Sequence, residues 1–139
     1  MSDKLTLTGY VSVKNFGGYA LPVPIQNKLL RIYCNENNFI YRLPMNETCL
    51  HENFMFLFST INMAPNKSNI GMCSVHMFPK NKSKFELLLN KIIDKKLNFH
   101  FIFENSVVSS IELKDFYLNS RLRYLKNTNF EHLTDFIKQ

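Results

Sequence analysis

Glycine is scarce in this chain, with four residues in 139, while phenylalanine is abundant at thirteen. A chain so poor in glycine and so rich in large apolar rings is no flexible polymer; it has no low-complexity tract or internal repeat and reads as a densely packed globule. Cysteine is sparse too. Cys34, Cys49 and Cys73 are odd in number and widely spaced, which argues for reduced thiols over a disulfide framework. Cys49 and His51 stand too close together to be the usual zinc-ligand pair, so neither a structural metal nor a cofactor is expected.

Long apolar runs are absent as well, since no segment has the roughly 18 uninterrupted residues that a membrane helix needs. The first ten residues lack the apolar run and small-residue cleavage site of a signal peptide, which sets the expectation of a cytoplasmic protein with no membrane partner. Acidic residues are in deficit: 11 Asp and Glu stand against 17 Lys and Arg, a formal net charge of +6. The excess falls mostly after Gly71, with Lys80, Lys82 and Lys84 before one predicted helix and Arg121, Arg123 and Lys126 near the end of another. This balance suits phosphorylated or acidic partners, and it serves solubility equally well. Nucleic acid is not the expected partner, because basic and aromatic residues do not interleave as a base-stacking surface requires.

The length predicts one α/β domain over residues 1–139, with 110–139 as a C-terminal helical segment. Alternating apolar residues from Leu5 to Val13 predict a first strand, which gives way to the loop at Asn15 to Gly18. Pro22 and Pro24 mark the start of a helix that ends at Asn37 and Asn38. Phe39 to Leu43, Ile70 to Phe78 and Asn98 to Phe103 predict three more strands. Helices are expected over His51 to Met63 and Lys82 to Lys96, the second with Phe85, Leu88, Leu89, Ile92 and Ile93 as its core face. Ser109 and Glu112 have capping-box spacing ahead of a helix from Ile111 to Leu125, and Phe130 to Ile137 suggests a short terminal helix. Strands alternating with helices predict a single mainly parallel, four-stranded sheet flanked by helices, with the flavodoxin-like strand order 2-1-3-4.

In such a sheet, polar residues at the carboxyl ends of the strands gather along one edge, where open α/β folds bind ligands. That edge would carry Ser12 and Lys14, Asn46 and Glu47, Ser74 and His76, and Glu104 and Asn105. Glu47 and His76 are the candidate acid–base residues, with His76 expected on the same strand face as Ser74. Glu47 can bind sugar hydroxyls or act as a base, and Glu104 is a second carboxylate for ligand binding; either can instead cap a helix. Ser12 suits ligand or turn hydrogen bonding or a nucleophile, Lys14 suits a phosphate or solvent, and Tyr19 in the glycine-containing loop suits stacking on a sugar. His100 reads as structural.

Gly9-Tyr10-Val11-Ser12, then Pro22, Gln26, Asn27, Arg31, Tyr33 and Cys34, then Glu47, and later Ser74, Met77 and Pro79 resemble a family of small bacterial proteins encoded sporadically in carbohydrate-biosynthesis gene clusters. The resemblance spans roughly Gly9 to Leu122 and implies a role in surface-polysaccharide biosynthesis. More distantly, the same stretch is similar to the catalytic domain of serine recombinases (resolvases), with Tyr10 matching the tyrosine of their Tyr-x-Arg-x-Ser strand and Gln26 the glutamine of the next helix. Ser12 falls at the arginine position and Lys14 at the nucleophilic serine, so this second resemblance implies a resolvase-like fold without the recombinase chemistry. It also implies a homodimer through the helix from Ile111.

Two expectations follow. In the first, the chain binds or modifies a sugar phosphate or nucleotide-activated sugar, with Lys14 at the anion, Glu47 and His76 at the sugar, and Ser12, Tyr19, Gln26, Asn46, Ser74 and Glu104 completing the ligand site. In the second, it is a non-catalytic, recombinase-like binding or regulatory module.

Overall fold

The computed structural model describes residues 5–13, 21–43, 46–47 and 54–123. In chain order its elements are β1 (Leu5–Gly9), β2 (Val11–Ser12), α1 (Val23–Glu36), β3 (Phe39–Arg42), β4 (Asn46–Glu47), α2 (Met55–Met63), β5 (Asn69–Met72), a short 3-10 turn (Val75–Met77), α3 (Lys82–Lys95), β6 (Asn98–Phe101), β7 (Ser106–Ser109) and α4 over residues 113–123. The main sheet runs β3-β1-β5-β6-β7. Its first four strands are parallel, in the order expected from the sequence, and β7 adds an antiparallel edge.

Helix α1 covers one face of this sheet. Pro22 and Pro24 suit its first turn, where no intrahelical N–H bond is lost, and Asn37 ends it by returning both its backbone and its side-chain N–H to the Tyr33 carbonyl. Gln26, Leu30 and Cys34 recur every four residues and form the buried stripe. The helix comes close because two strand positions are glycine. A methyl group on Gly9 would lie 3.1 Å from Leu30 Cδ1 of the helix and 2.7 Å from the Tyr41 hydroxyl of β3, and one on Gly71 would lie 3.1 Å from Leu30 Cδ2 and 2.5 Å from Leu7 Cδ2 of β1. On the same face Tyr33 meets His100 at 2.5 Å through Nδ1, while His100 Nε2 lies 3.0 Å from the Asn69 side-chain oxygen. An amide oxygen only accepts, so Nε2 carries the proton and Nδ1 accepts from the tyrosine. Burial then pushes the His100 pKa down to about 4 and keeps the ring neutral.

The opposite face carries the larger core. Phe99 and Phe101, two residues apart on β6, point together into it, and Phe78 packs edge-on against both and against Phe85 and Tyr117. From α3 come Phe85, Leu88, Leu89 and Ile92; each such fully buried side chain contributes about 1.5–3 kcal/mol. Ile93, expected in that stripe, is exposed at its margin. Lys95 joins α3 to α2 by donating from Nζ to the carbonyls of Ile61 and Ala64 at 3.0 Å and to that of Asn62, satisfying the end of α2.

Several boundaries differ from those expected. The segment Ile70 to Phe78 is not one strand: β5 stops at Met72, and the chain turns through Val75–Met77 because the Ser74 hydroxyl accepts the His76 N–H. Ser74 and His76 therefore do not alternate on a strand face. The Leu5 to Val13 strand divides at the fully buried Tyr10, whose N–H bonds Gly71 O at 2.9 Å, and β2 then pairs with β4 instead of the main sheet. Ser109 ends β7 rather than opening a helix; its backbone carbonyl accepts the Glu112 N–H, and α4 begins after Ile111, which is 83% exposed. The segment Phe130 to Ile137 lies outside the described residues, and α2 starts at Met55 rather than His51, because Phe54 before it takes a left-handed conformation, with φ 52°. Among the described residues no helix is long and apolar enough to cross a membrane.

Candidate functional site at the carboxyl edge of the sheet

The parallel strands all end on one side, and the residues just beyond them build two adjoining structures. Above β1 and β3, the short ribbon of β2 and β4 sets Val11 opposite Asn46 and Ser12 opposite Glu47. Ser12 is buried, and its backbone is held from both sides by Gln26: Oε1 accepts the Ser12 N–H at 3.1 Å, and Nε2 donates to Ser12 O at 2.7 Å. The same Nε2 donates to Leu21 O at 2.8 Å, so one buried amide ties the backbone at Ser12 to the backbone at Leu21. Gln26 is a member of the expected ligand set, yet its amide hydrogens and oxygen are engaged by backbone. Lys14 and Tyr19 lie outside the described residues.

Above β5 and β6 the holding group is charged. Glu104 accepts the Val75 N–H at 2.5 Å and the Ser74 hydroxyl at 3.1 Å. It caps the turn at residues 75–77 from a neighbouring strand end, which is the capping role in a place the sequence did not suggest. Burial raises its pKa, and the two hydrogen bonds oppose that rise. Ser74 is buried, donates to Glu104 and accepts from His76, so its hydroxyl organises the turn. Cys73, next to it, is no reactive thiol: burial and then the Glu104 charge push its pKa up to about 12. Asn105 takes a left-handed conformation in the turn into β7, with φ 49°.

His76 sits at the end of this second structure. Its pKa is lowered first by burial and then by the charges of Arg121 and Lys80. Neither cation was a candidate residue; in sequence they belong to separate basic clusters 41 residues apart. Helix α4 joins them. Arg121 Nη1 donates to the Lys80 carbonyl at 3.2 Å and to the Tyr117 hydroxyl at 3.1 Å, while Tyr117 donates to Pro79 O at 2.7 Å. The guanidinium also lies over the Tyr117 ring, 5.9 Å from its centroid and so just within the roughly 6 Å reach of a cation–π contact.

A cavity of about 110 Å³ opens at the ends of β1 and β3, lined by Thr8, Arg42 and Leu43 and, from α2 and its exit, Thr60, Met63, Ala64 and Pro65. None of the expected site residues lines it. Tyr41 donates its hydroxyl to Asn27 Oδ1 at 2.7 Å. Among the described residues no group of three or more His, Cys, Asp or Glu is arranged to hold a metal ion. No family model matches the chain, and no curated protein is significantly similar to it.

Proposed function

We propose that the carboxyl edge of the sheet binds a phosphorylated or nucleotide-activated sugar, and that the chain serves bacterial surface-polysaccharide biosynthesis in the cytoplasm. The observation that carries this reading is the register of the β2–β4 ribbon, which puts Ser12 beside Glu47 at the ligand-binding edge of an open parallel sheet. A carboxylate there accepts hydrogen bonds from sugar hydroxyls, and burial and then the charges of Arg121 and Lys80 lower the His76 pKa, which favours the neutral form that a general base needs. A thermal-shift screen against nucleotide sugars tests it. At least one should raise the melting temperature, and Glu47→Gln should weaken that ligand roughly tenfold. A panel without a stabilising member, or undiminished binding by the variant, rejects the reading.

The second reading, a non-catalytic recombinase-like module, is favoured by α4. Leu113 and Tyr117 are buried on one side of this helix, whereas Leu118 and Leu122 are exposed on the other, Leu122 by 64%. Such a face suits a homodimer. Light scattering should give a dimer mass that falls to the monomer in Leu122→Lys; a monomeric parent chain would reject the pairing.

A further inference from the structure

We propose that Lys80, Arg121 and His76, together with the first turn of α3, form an oxyanion subsite that takes a phosphate group. Three observations converge on it. The first is preorganisation: Arg121 is held by the Lys80 carbonyl and by Tyr117, whose own hydroxyl is anchored on Pro79, so the guanidinium is set in place through only one of its nitrogens. Among the described residues its Nε and Nη2 meet no acceptor, and neither Lys80 nor Arg121 has a carboxylate partner. A planar guanidinium with donors left over matches two phosphate oxygens at once.

The second is the helix. α3 follows β5 and the 3-10 turn, so its amino end stands at the carboxyl edge of the sheet. Asn81 caps only the Lys84 N–H, at 3.1 Å. The amides of Lys82 and Ser83 have no acceptor within the helix, and the first turn holds no acidic residue to offset the dipole. The third is electrostatic crowding. The charges of Arg121 and Lys80 both reach His76 and disfavour its protonated form, and a doubly charged oxyanion among the three would offset that effect while accepting their hydrogen bonds. Arg121 and Lys80 converge only through the fold, which separates this arrangement from a merely Lys-rich surface.

The inference rests on the functional reading above only in making the phosphate part of a sugar ligand. Inorganic pyrophosphate therefore serves as the probe, titrated calorimetrically into the full chain at low ionic strength. Arg121→Gln should lose roughly tenfold or more in affinity, since a bidentate charge-assisted contact is removed. Lys80→Ala should lose several-fold, and Arg121→Lys, which keeps the charge without the fork, should fall between the parent and Arg121→Gln. Lys91→Gln, further along α3 over the Phe58 ring, is the control for net charge and should bind like the parent. Equal losses in Lys80→Ala and Lys91→Gln would overturn the proposal in favour of diffuse attraction, and so would an absence of pyrophosphate binding by the parent. Should Arg121→Gln unfold, Lys80→Ala against Lys91→Gln still decides. Pyrophosphate binding that follows the expected pattern, without any stabilising nucleotide sugar, would uphold the subsite and remove the sugar.

Discussion

Above β1 and β3 the backbone at Ser12 is held by the neutral amide of Gln26, whereas above β5 and β6 the backbone at Val75 is held by the carboxylate of Glu104. Both devices do the same mechanical work: a side chain from a neighbouring element satisfies main-chain groups that have left the sheet ladder. They differ in what burial does to them. A neutral amide with its partners in place loses little on leaving water, while a carboxylate is penalised in its charged form, as its raised pKa records. The first half of the edge should therefore be indifferent to pH, and the second should not.

The largest expected effect comes from removing the neutral clasp. Gln26→Leu leaves the Ser12 N–H and the carbonyls of Ser12 and Leu21 without their partner and should cost about 3 kcal/mol in urea unfolding at pH 7. A loss below about 1 kcal/mol would break the comparison at its stronger end, because buried orphaned backbone groups cost more than that.

A second test turns to the α1 face. His100 has a folded pKa of about 4, below its unfolded value, so the unfolded chain takes up the proton first as pH falls. Stability from this group is complete above about pH 6.5 and is lost progressively towards pH 4. The urea midpoint should fall across that window in the parent chain, and the fall should flatten in His100→Asn. An equally steep fall in the variant would place the titrating group elsewhere.

Glu104 has the opposite sign. Its folded pKa lies above the unfolded value, so the native state binds the proton more tightly and its contribution declines as pH rises through the carboxylate range. Glu104→Ala, which orphans the Val75 N–H, should cost about 1–2 kcal/mol. The smallest effect belongs to Glu104→Gln, which keeps an acceptor without the charge and should change stability by less than about 1 kcal/mol. Its deficit should be smaller at pH 7 than at pH 4. If the deficit grew with pH instead, hydrogen bonding rather than burial would dominate the carboxyl, and the contrast with Gln26 would be sharpened in the wrong direction.

How much of this was legible depends on whether the signal was local. The helix over α3 was readable because Phe85, Leu88, Leu89 and Ile92 repeat at helical spacing, and α1 because prolines open it and asparagines close it. The segment from Ile70 to Phe78 misled, since a continuous apolar run reads as a strand whether or not it turns. What bends it after Met72 is Ser74 bonding its own chain and Glu104, thirty residues away, capping the turn. β7 was hidden for the same kind of reason: Ser109 and Glu112 have the spacing of a helix cap, and the pairing of Ser106–Ser109 with β6 overrode it.

The sequence by itself determined the alternation of strands and helices, and with it the parallel order β3-β1-β5-β6 and the side of the sheet on which polar residues collect. Those follow from side-chain periodicity and from the handedness of crossover connections, both of which act over short stretches of chain. Only the tertiary structure decided which of the polar residues hold the backbone. Gln26 meets Ser12 across 14 residues, Glu104 meets Ser74 across 30, and Arg121 meets Lys80 across 41. A polar side chain takes its role from the partner that burial leaves within reach, and for these three that partner is brought near only when α1 and α4 pack against the sheet and β6 pairs with β5 within it.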